Sequence, residues 1–188
     1  MYNNKIAGFH FGRQFVMEAV FSVKGADMAF VEVDKTLDVT TVEGRRAQLK
    51  HLLDSRAAEG RGPRGDIEVL ETQFIEYTDD GILVVKIPIR EWQMNGVDNV
   101  QGGILTYMID CVFGSMSFVT SGCNPVGTVD MTTNYLRPIT AADGEVTIRA
   151  KIVTNSKRVM HAEAKLYNGQ GKLAVTASTN IMKLAAGK

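Results

Sequence analysis

The stretch "NGVDNVQGGILTYMIDCVFGSMSF", residues 95–118, sets a glycine pair in front of an apolar run that carries one carboxylate, Asp110. Aspartate is a poor helix-interior residue and is rarely buried without a partner. A glycine pair such as Gly102-Gly103 at a helix start lets an incoming oxygen reach backbone N–H groups that have no intrahelical partner. The positive end of the helix dipole points the same way. An oxyanion-type donor with a carboxylate two turns along makes two parts of a hydrolytic site. Other chemistries are less well supplied. No serine sits in a G-x-S-x-G elbow, so a Ser-His-Asp arrangement is not indicated. Cys111 and Cys123 have no Cys/His cluster around them, which suits two reduced thiols and neither a disulfide framework nor a metal site.

The elements that must position these groups follow from periodicity. On a helix over 102–118, Ile104, Leu105, Met108, Ile109, Val112, Phe113 and Met116 form a core face with a 3.6-residue period. Thr106, Asp110, Gly114 and Ser117 form a second stripe, small and polar. Such a stripe leaves room for something to lie along the helix, and it is equally what the solvated edge of a half-buried helix presents. A helix apolar around most of its circumference has to be wrapped.

The flanking segments supply the wrapping. "DIEVLETQFIEYTDDGILVVKIPI" reads as two β-rich runs joined by an Asp-Gly hairpin turn. After the helix, "TVDMTTNYLRP" alternates Val129, Met131, Thr133 and Tyr135 against Thr128, Asp130, Thr132 and Asn134. "GEVTIRAKIVT" and "RVMHAEAKLYN" alternate in the same way, and "KLAVTASTNIMKL" closes the sheet. His161 reads as an ordinary outward strand residue. Runs of strands with segregated helices predict an α+β domain, a curved antiparallel sheet folded around one helix. Upstream, "VEGRRAQLKHLLDSRAAEG" reads as an amphipathic helix at about 42–58, with Leu49, Leu52 and Leu53 on one side. "GRGPRG" is a loop. Residues 1–41 have no sustained period and read as an extension. The boundaries expected are therefore an N-terminal extension over 1–65 and a sheet-and-helix domain over 66–188.

Bulk properties exclude several classes. Lys+Arg and Asp+Glu both total 21 in 188 residues, so no net charge draws in nucleic acid or an acidic membrane. No uninterrupted apolar stretch approaches the roughly 20 residues of a membrane span. The N-terminus lacks the basic-then-apolar pattern of a secretion signal, which makes the cytoplasm the expected compartment.

Taken together, Asn95, Gln101-Gly102-Gly103, Asp110, then Thr128-x-Asp130 and Tyr135-x-x-Pro138 resemble the motif of hotdog-fold acyl-CoA thioesterases of the phenylacetic acid degradation (PaaI-like) type. The resemblance spans roughly residues 66–184. It implies a hotdog fold and hydrolysis of an acyl-CoA thioester to free acid and coenzyme A, with coenzyme A as part of the substrate and no metal or other cofactor. Asp110 would act as general base or nucleophile, and the Gly102 N–H would polarise the thioester carbonyl. Asn95 would orient the reacting groups, and Thr128 would hold the water from the neighbouring subunit of a homodimer or homotetramer. Gln101, Gly103 and Arg137 would line the substrate, with Lys157-Arg158 as further phosphate contacts or plain surface charges. Tyr107, Trp92 and Met94 lie close to the motif as pocket or core. Gln101 stands where the family carries histidine; an amide can keep a hydrogen bond there but cannot transfer a proton. The alternative is a non-catalytic acyl-CoA binder or sensor of the same fold. A hotdog dehydratase ranks last, since no catalytic histidine is placed.

Overall fold

The computed structural model describes residues 33–58 and 69–184. Most of the extension and the 60–65 loop lie outside the described residues. Helix α1 (Val42–Ala58) begins at Thr41, whose hydroxyl accepts the Gly44 N–H at 3.0 Å, with Glu43 adding negative charge to the first turn. Strands β1 (Gln73–Tyr77) and β2 (Ile82–Pro88) form the hairpin that the Asp-Gly turn predicts, with Gly81 at φ 78°. Helix α2 (Gly102–Thr120) follows, and then strands β3 (Val126–Tyr135), β4 (Glu145–Asn155), β5 (Val159–Tyr167) and β6 (Leu173–Lys183). The six strands make one antiparallel sheet in the order β1-β2-β4-β5-β6-β3. This is the hotdog arrangement that the resemblance implies.

The core lies between the sheet and α2. Strand alternation sends Leu83, Val85 and Ile87 of β2, Val146 and Ile148 of β4, Met160 and Leu166 of β5, and Val175 and Ile181 of β6 to the helix side, all buried. A row of three alanines, Ala150, Ala164 and Ala177, runs across β4, β5 and β6 in direct register. Short side chains there give α2 a trough, while its Leu105, Met108, Ile109, Val112, Phe113 and Met116 fill the space. By length and hydropathy α2 would pass for a membrane span, which counting uninterrupted apolar residues missed; half of it is buried within this fold. Leu49, Leu52 and Leu53 of α1 are buried on the side where it packs against β1 and α2.

Two expectations need correction. Ser117, read as part of a small polar stripe open to solvent or a ligand, is fully buried. The alternation assigned to β3 also fails at one point. The register slips between Thr128 and Asp130, so Val129 is an extra residue, a β-bulge. Met131, Thr133 and Tyr135 share the helix side as predicted. Period 2 alone would put Thr128 on the opposite face; the bulge brings it to theirs. The bulge has its own support: the buried Thr179 hydroxyl of β6 donates to the Asp130 carbonyl at 2.5 Å.

Replacing Thr179 by the isosteric valine leaves that carbonyl without its partner. Thr179→Val should lower the unfolding free energy by about 1–3 kcal/mol in a urea titration. A midpoint equal to wild type would show that the bulge holds without the hydroxyl.

Candidate functional site

Strand β3 is an edge of the sheet, and it lies antiparallel along the polar stripe of α2. Four contacts mark the seam, one of them between the Tyr135 and Thr106 hydroxyls at 2.5 Å. The Thr128 hydroxyl donates to Asp110 Oδ1 at 2.9 Å. The hydroxyls of Thr133 and Thr106 lie 3.4 Å apart. The Tyr135 hydroxyl donates to the Gly102 carbonyl at 2.9 Å. What occupies the lane beside the helix is the chain's own edge strand. Asp110 therefore has a partner, which answers why a carboxylate can sit on this helix. It is half-buried, and one of its oxygens is held by Thr128 while Oδ2 has no partner among the described residues.

This geometry corrects one expectation. Thr128 and Asp110 were to come from different subunits, with Thr128 holding the water; here they belong to one chain and bond directly. The groups that lie apart are Asp110 and the helix start. At 1.5 Å per residue, the separation along α2 from Gly102 to Asp110 is about 12 Å. One carbonyl group cannot touch both within a single chain.

The helix start is open to an acceptor. Gln101 is the N-cap, its carbonyl accepts the Ile104 and Leu105 N–H groups, and no side chain caps the helix. The N–H groups of Gly102 and Gly103 have no acceptor among the described residues. The two glycines differ in their surroundings. A Cβ at Gly102 would stand 3.1 Å from the Tyr135 ring, whereas one at Gly103 would meet nothing within 4 Å. A side chain at Gly102 would thus press on the neighbouring ring, and Gly103 leaves open space beside the helix end.

The remaining sequence-derived residues are placed as follows. Asn95 begins the loop before α2, and its Oδ1 accepts the backbone N–H groups of Val97 and Asn99 at 3.0 and 3.2 Å. Its oxygen is therefore spent on its own turn, leaving the NH2 to act elsewhere. The Gln101 backbone N–H bonds the carbonyl of the buried Gln93 at 2.9 Å, and its side chain is exposed. Arg137 is exposed and donates to the Leu173 carbonyl, so its guanidinium is partly engaged within the chain. Trp92 and Tyr107 are exposed and Met94 is half-buried. Cys111 is buried, while Cys123 is only half-buried, and both are free thiols; burial raises the Cys123 thiol pKa. Sequence reasoning gave Tyr135 no role of its own, although its place in Tyr-x-x-Pro was the available signal.

The sheet's outer face carries a separate polar row. Asn180 donates through its side chain and backbone N–H to Asp130, and its Oδ1 accepts from His161 Nδ1 at 3.0 Å. Those Asn180 bonds, with weaker help from His161, hold the Asp130 carboxyl below its ordinary value. A concavity of about 500 Å³ also lies on that face, bordered by Arg149, Lys165 and Glu163. None of Asn95, Gly102, Asp110 or Thr128 lines it, so this hollow and the candidate chemistry are on different sides of the sheet. Among the described residues no group of three His, Cys, Asp or Glu is placed to hold a metal ion.

Comparison with known proteins gives a consistent picture. Residues 99–175 match the thioesterase superfamily. A Thermoplasma acidophilum protein named for esterase activity is 29% identical over 101 residues, covering 53% of this chain and 74% of that one. The PaaI protein from the phenylacetic acid degradation operon of Escherichia coli superposes with a TM-score of 0.60 at 20% identity, covering 73% of this chain and 97% of that one. A Streptococcus pneumoniae thioesterase-type protein, crystallised with coenzyme A, superposes with a TM-score of 0.57 at 18% identity over 65% and 93% of the two chains.

The unequal glycines make a direct test. Alanine at 103 fits the helix and the space, so Gly103→Ala should raise the unfolding free energy by about 0.4–1 kcal/mol. Gly102→Ala pushes on the Tyr135 ring and should give no gain or a loss. Equal stabilisation by both in urea denaturation would refute the assignment of Gly102 to Tyr135.

Proposed function

We propose that this hotdog-fold chain, whose residues 99–175 match the thioesterase superfamily, is a thioester hydrolase that converts acyl-CoA to free acid and coenzyme A, with Asp110 activating the attacking water. The observation that carries the reading is the Thr128–Asp110 bond. A carboxylate with one oxygen held by a hydroxyl is fixed in orientation and keeps its second oxygen for a water. As base, that oxygen takes a proton from the water as it attacks the thioester carbonyl; as nucleophile, it would attack the carbonyl itself and be released by water. The carbonyl oxygen gains negative charge in either route and needs donors preorganised for it. The Gly102 N–H supplies one, and the Asn95 NH2 and the Gln101 amide orient the substrate in this reading. The crystallised Streptococcus pneumoniae neighbour carries coenzyme A, which supports the substrate class. Arg137 and Gly103 complete the set of substrate contacts we propose.

The 12 Å between helix start and carboxylate gives the site its second feature. The donors on a given thioester come from one copy of the chain, and Asp110 with Thr128 from another. The long unpaired edge of β3, with exposed Val129 and Tyr135, is the surface on which two copies would join, as a homodimer or as a pair of dimers. The free thiols suit a reducing compartment, and we place the activity in the cytoplasm.

Two experiments test this. In a thiol-release assay over short, long and aryl acyl-CoAs, Asp110→Asn should lower kcat by about 10²-fold or more. Undiminished activity in that variant would end the proposed role of Asp110. Tight acyl-CoA binding without turnover by the wild type would establish the binder reading instead. The shared site is tested by mixing. Gly102→Pro removes one N–H at a first helical position, where the backbone accepts proline beside a Gln101 already extended at ψ 135°, and like alanine it presses on the Tyr135 ring. Each variant alone should be slower than wild type by about 10²-fold or more, but co-refolded in equal amounts they should recover about a quarter of wild-type activity, because half the dimers are mixed and hold one intact site. No recovery in verified mixed dimers would mean that each site draws on one chain only.

A further inference from the structure

We propose that Tyr135 is a positioning residue for the oxyanion donors, holding the Gly102–Gly103 peptide so that the Gly103 N–H serves as a second donor beside that of Gly102. The inference rests on the proposed thioester hydrolysis and adds a residue and a donor to it. Tyr135 ends β3 with half of its surface exposed (51%), yet its hydroxyl points inward to the helix start. That hydroxyl has one hydrogen, and it goes to the Gly102 carbonyl at 2.9 Å. The 2.5 Å contact between the Tyr135 and Thr106 hydroxyls must then be donated by Thr106, whose single hydrogen goes to this short contact in place of the 3.4 Å one to Thr133. The result is a directed chain from Thr106 through Tyr135 to the Gly102 carbonyl.

The carbonyl of Gly102 and the N–H of Gly103 belong to one rigid peptide plane and point in opposite directions. A donor on that carbonyl therefore fixes where the Gly103 N–H points. It also draws electron density from the peptide, which makes the N–H a stronger donor, since linked hydrogen bonds polarise one another. Two further observations agree. The ring lies against Gly102 so closely that a Cβ there would be 3.1 Å away, so the peptide is held by packing as well as by the bond. Gly103 is exposed and its N–H has no acceptor among the described residues, so that donor is available. A glycine without a side chain is otherwise a loose hinge, and a donor for a developing charge has to be placed before the charge appears.

The test uses the only Gly-Gly pair in the sequence. Protein labelled with carbonyl-¹³C and ¹⁵N glycine gives one amide–carbonyl correlation, that of Gly102–Gly103. In Tyr135→Phe the carbonyl resonance should move upfield, as expected for a lost hydrogen bond, and Thr106→Val should move it part of the way. Tyr135→Phe should also lower kcat roughly tenfold with KM within twofold, the pattern of an interaction made only in the transition state. The double variant should be no slower than Tyr135→Phe alone, because both act through one hydroxyl. An unmoved resonance overturns the proposal, and so does a moved resonance with unchanged kcat. Absence of thiol release by the wild type would count against the proposed function, and the Gly102–Gly103 resonance would still decide this inference.

Discussion

The site depends on the rigidity of α2. A helix fixes its residues along one axis, so the groups at its start and the carboxylate two turns on keep a separation of about 12 Å whatever the side chains do. No loop motion can close that gap, because both ends belong to the same hydrogen-bonded rod. The sheet is built around this constraint. It covers the helix on the apolar side with β2, β4, β5 and β6, and runs β3 along the remaining small stripe. That leaves β3 with one edge unpaired among the described residues, next to both candidate groups. An exposed edge of this length is a liability in a monomer, and natural sheets protect such edges by pairing or covering them. Pairing with a second copy would cover the edge and bring one chain's helix start toward the other's carboxylate. A single structural solution would thus meet two demands.

How β3 meets the helix turns on one extra residue. Strand side chains alternate, and Thr128 and Tyr135 are an odd number of positions apart, so a regular strand could aim only one of them at α2. The bulge at Val129 lets both reach it, one to Asp110 and the other to Gly102. This was not legible in the sequence. A bulge has no compositional mark here: Val129 suits a strand, and the partner that stabilises it, Thr179, lies far along the chain on β6. By contrast, the apolar face of α2 and the alternation of β5 were legible because burial enforces them residue by residue. Met160, Ala162, Ala164 and Leu166 face the helix side as their spacing requires. The order of strands in the sheet was legible only as far as the resemblance carried it.

The glycine pair shows a similar limit at the site. Two adjacent glycines before a helix read as one feature, an open approach to backbone N–H groups. The structure divides the feature in two, with Gly102 small because a tyrosine ring lies on it and Gly103 bordering empty space. Sequence proximity could not reveal this, since the ring arrives from the far end of β3. Nor could it assign Thr128 to a chain. The motif names residues that gather at a site, but which copy provides each depends on distances that a one-dimensional pattern does not contain.

Gln101 can be understood on the proposed chemistry. Its backbone is fixed by Gln93 and by the first helical bonds, and its side chain projects outward from the cap position. An amide there can donate or accept a hydrogen bond but cannot deliver a proton. Whether that matters depends on the leaving group. A thiol has a pKa near 8.5, so a thiolate leaves at neutral pH without being protonated first. An alkoxide or an amide nitrogen is far more basic and needs a general acid to depart. A site with Asp110 as base, backbone N–H groups as oxyanion donors and no histidine at the cap therefore has what a thioester demands and lacks what an oxygen ester or amide would require. On this reasoning the glutamine narrows the reaction to thioesters, and the missing histidine costs orientation but no step.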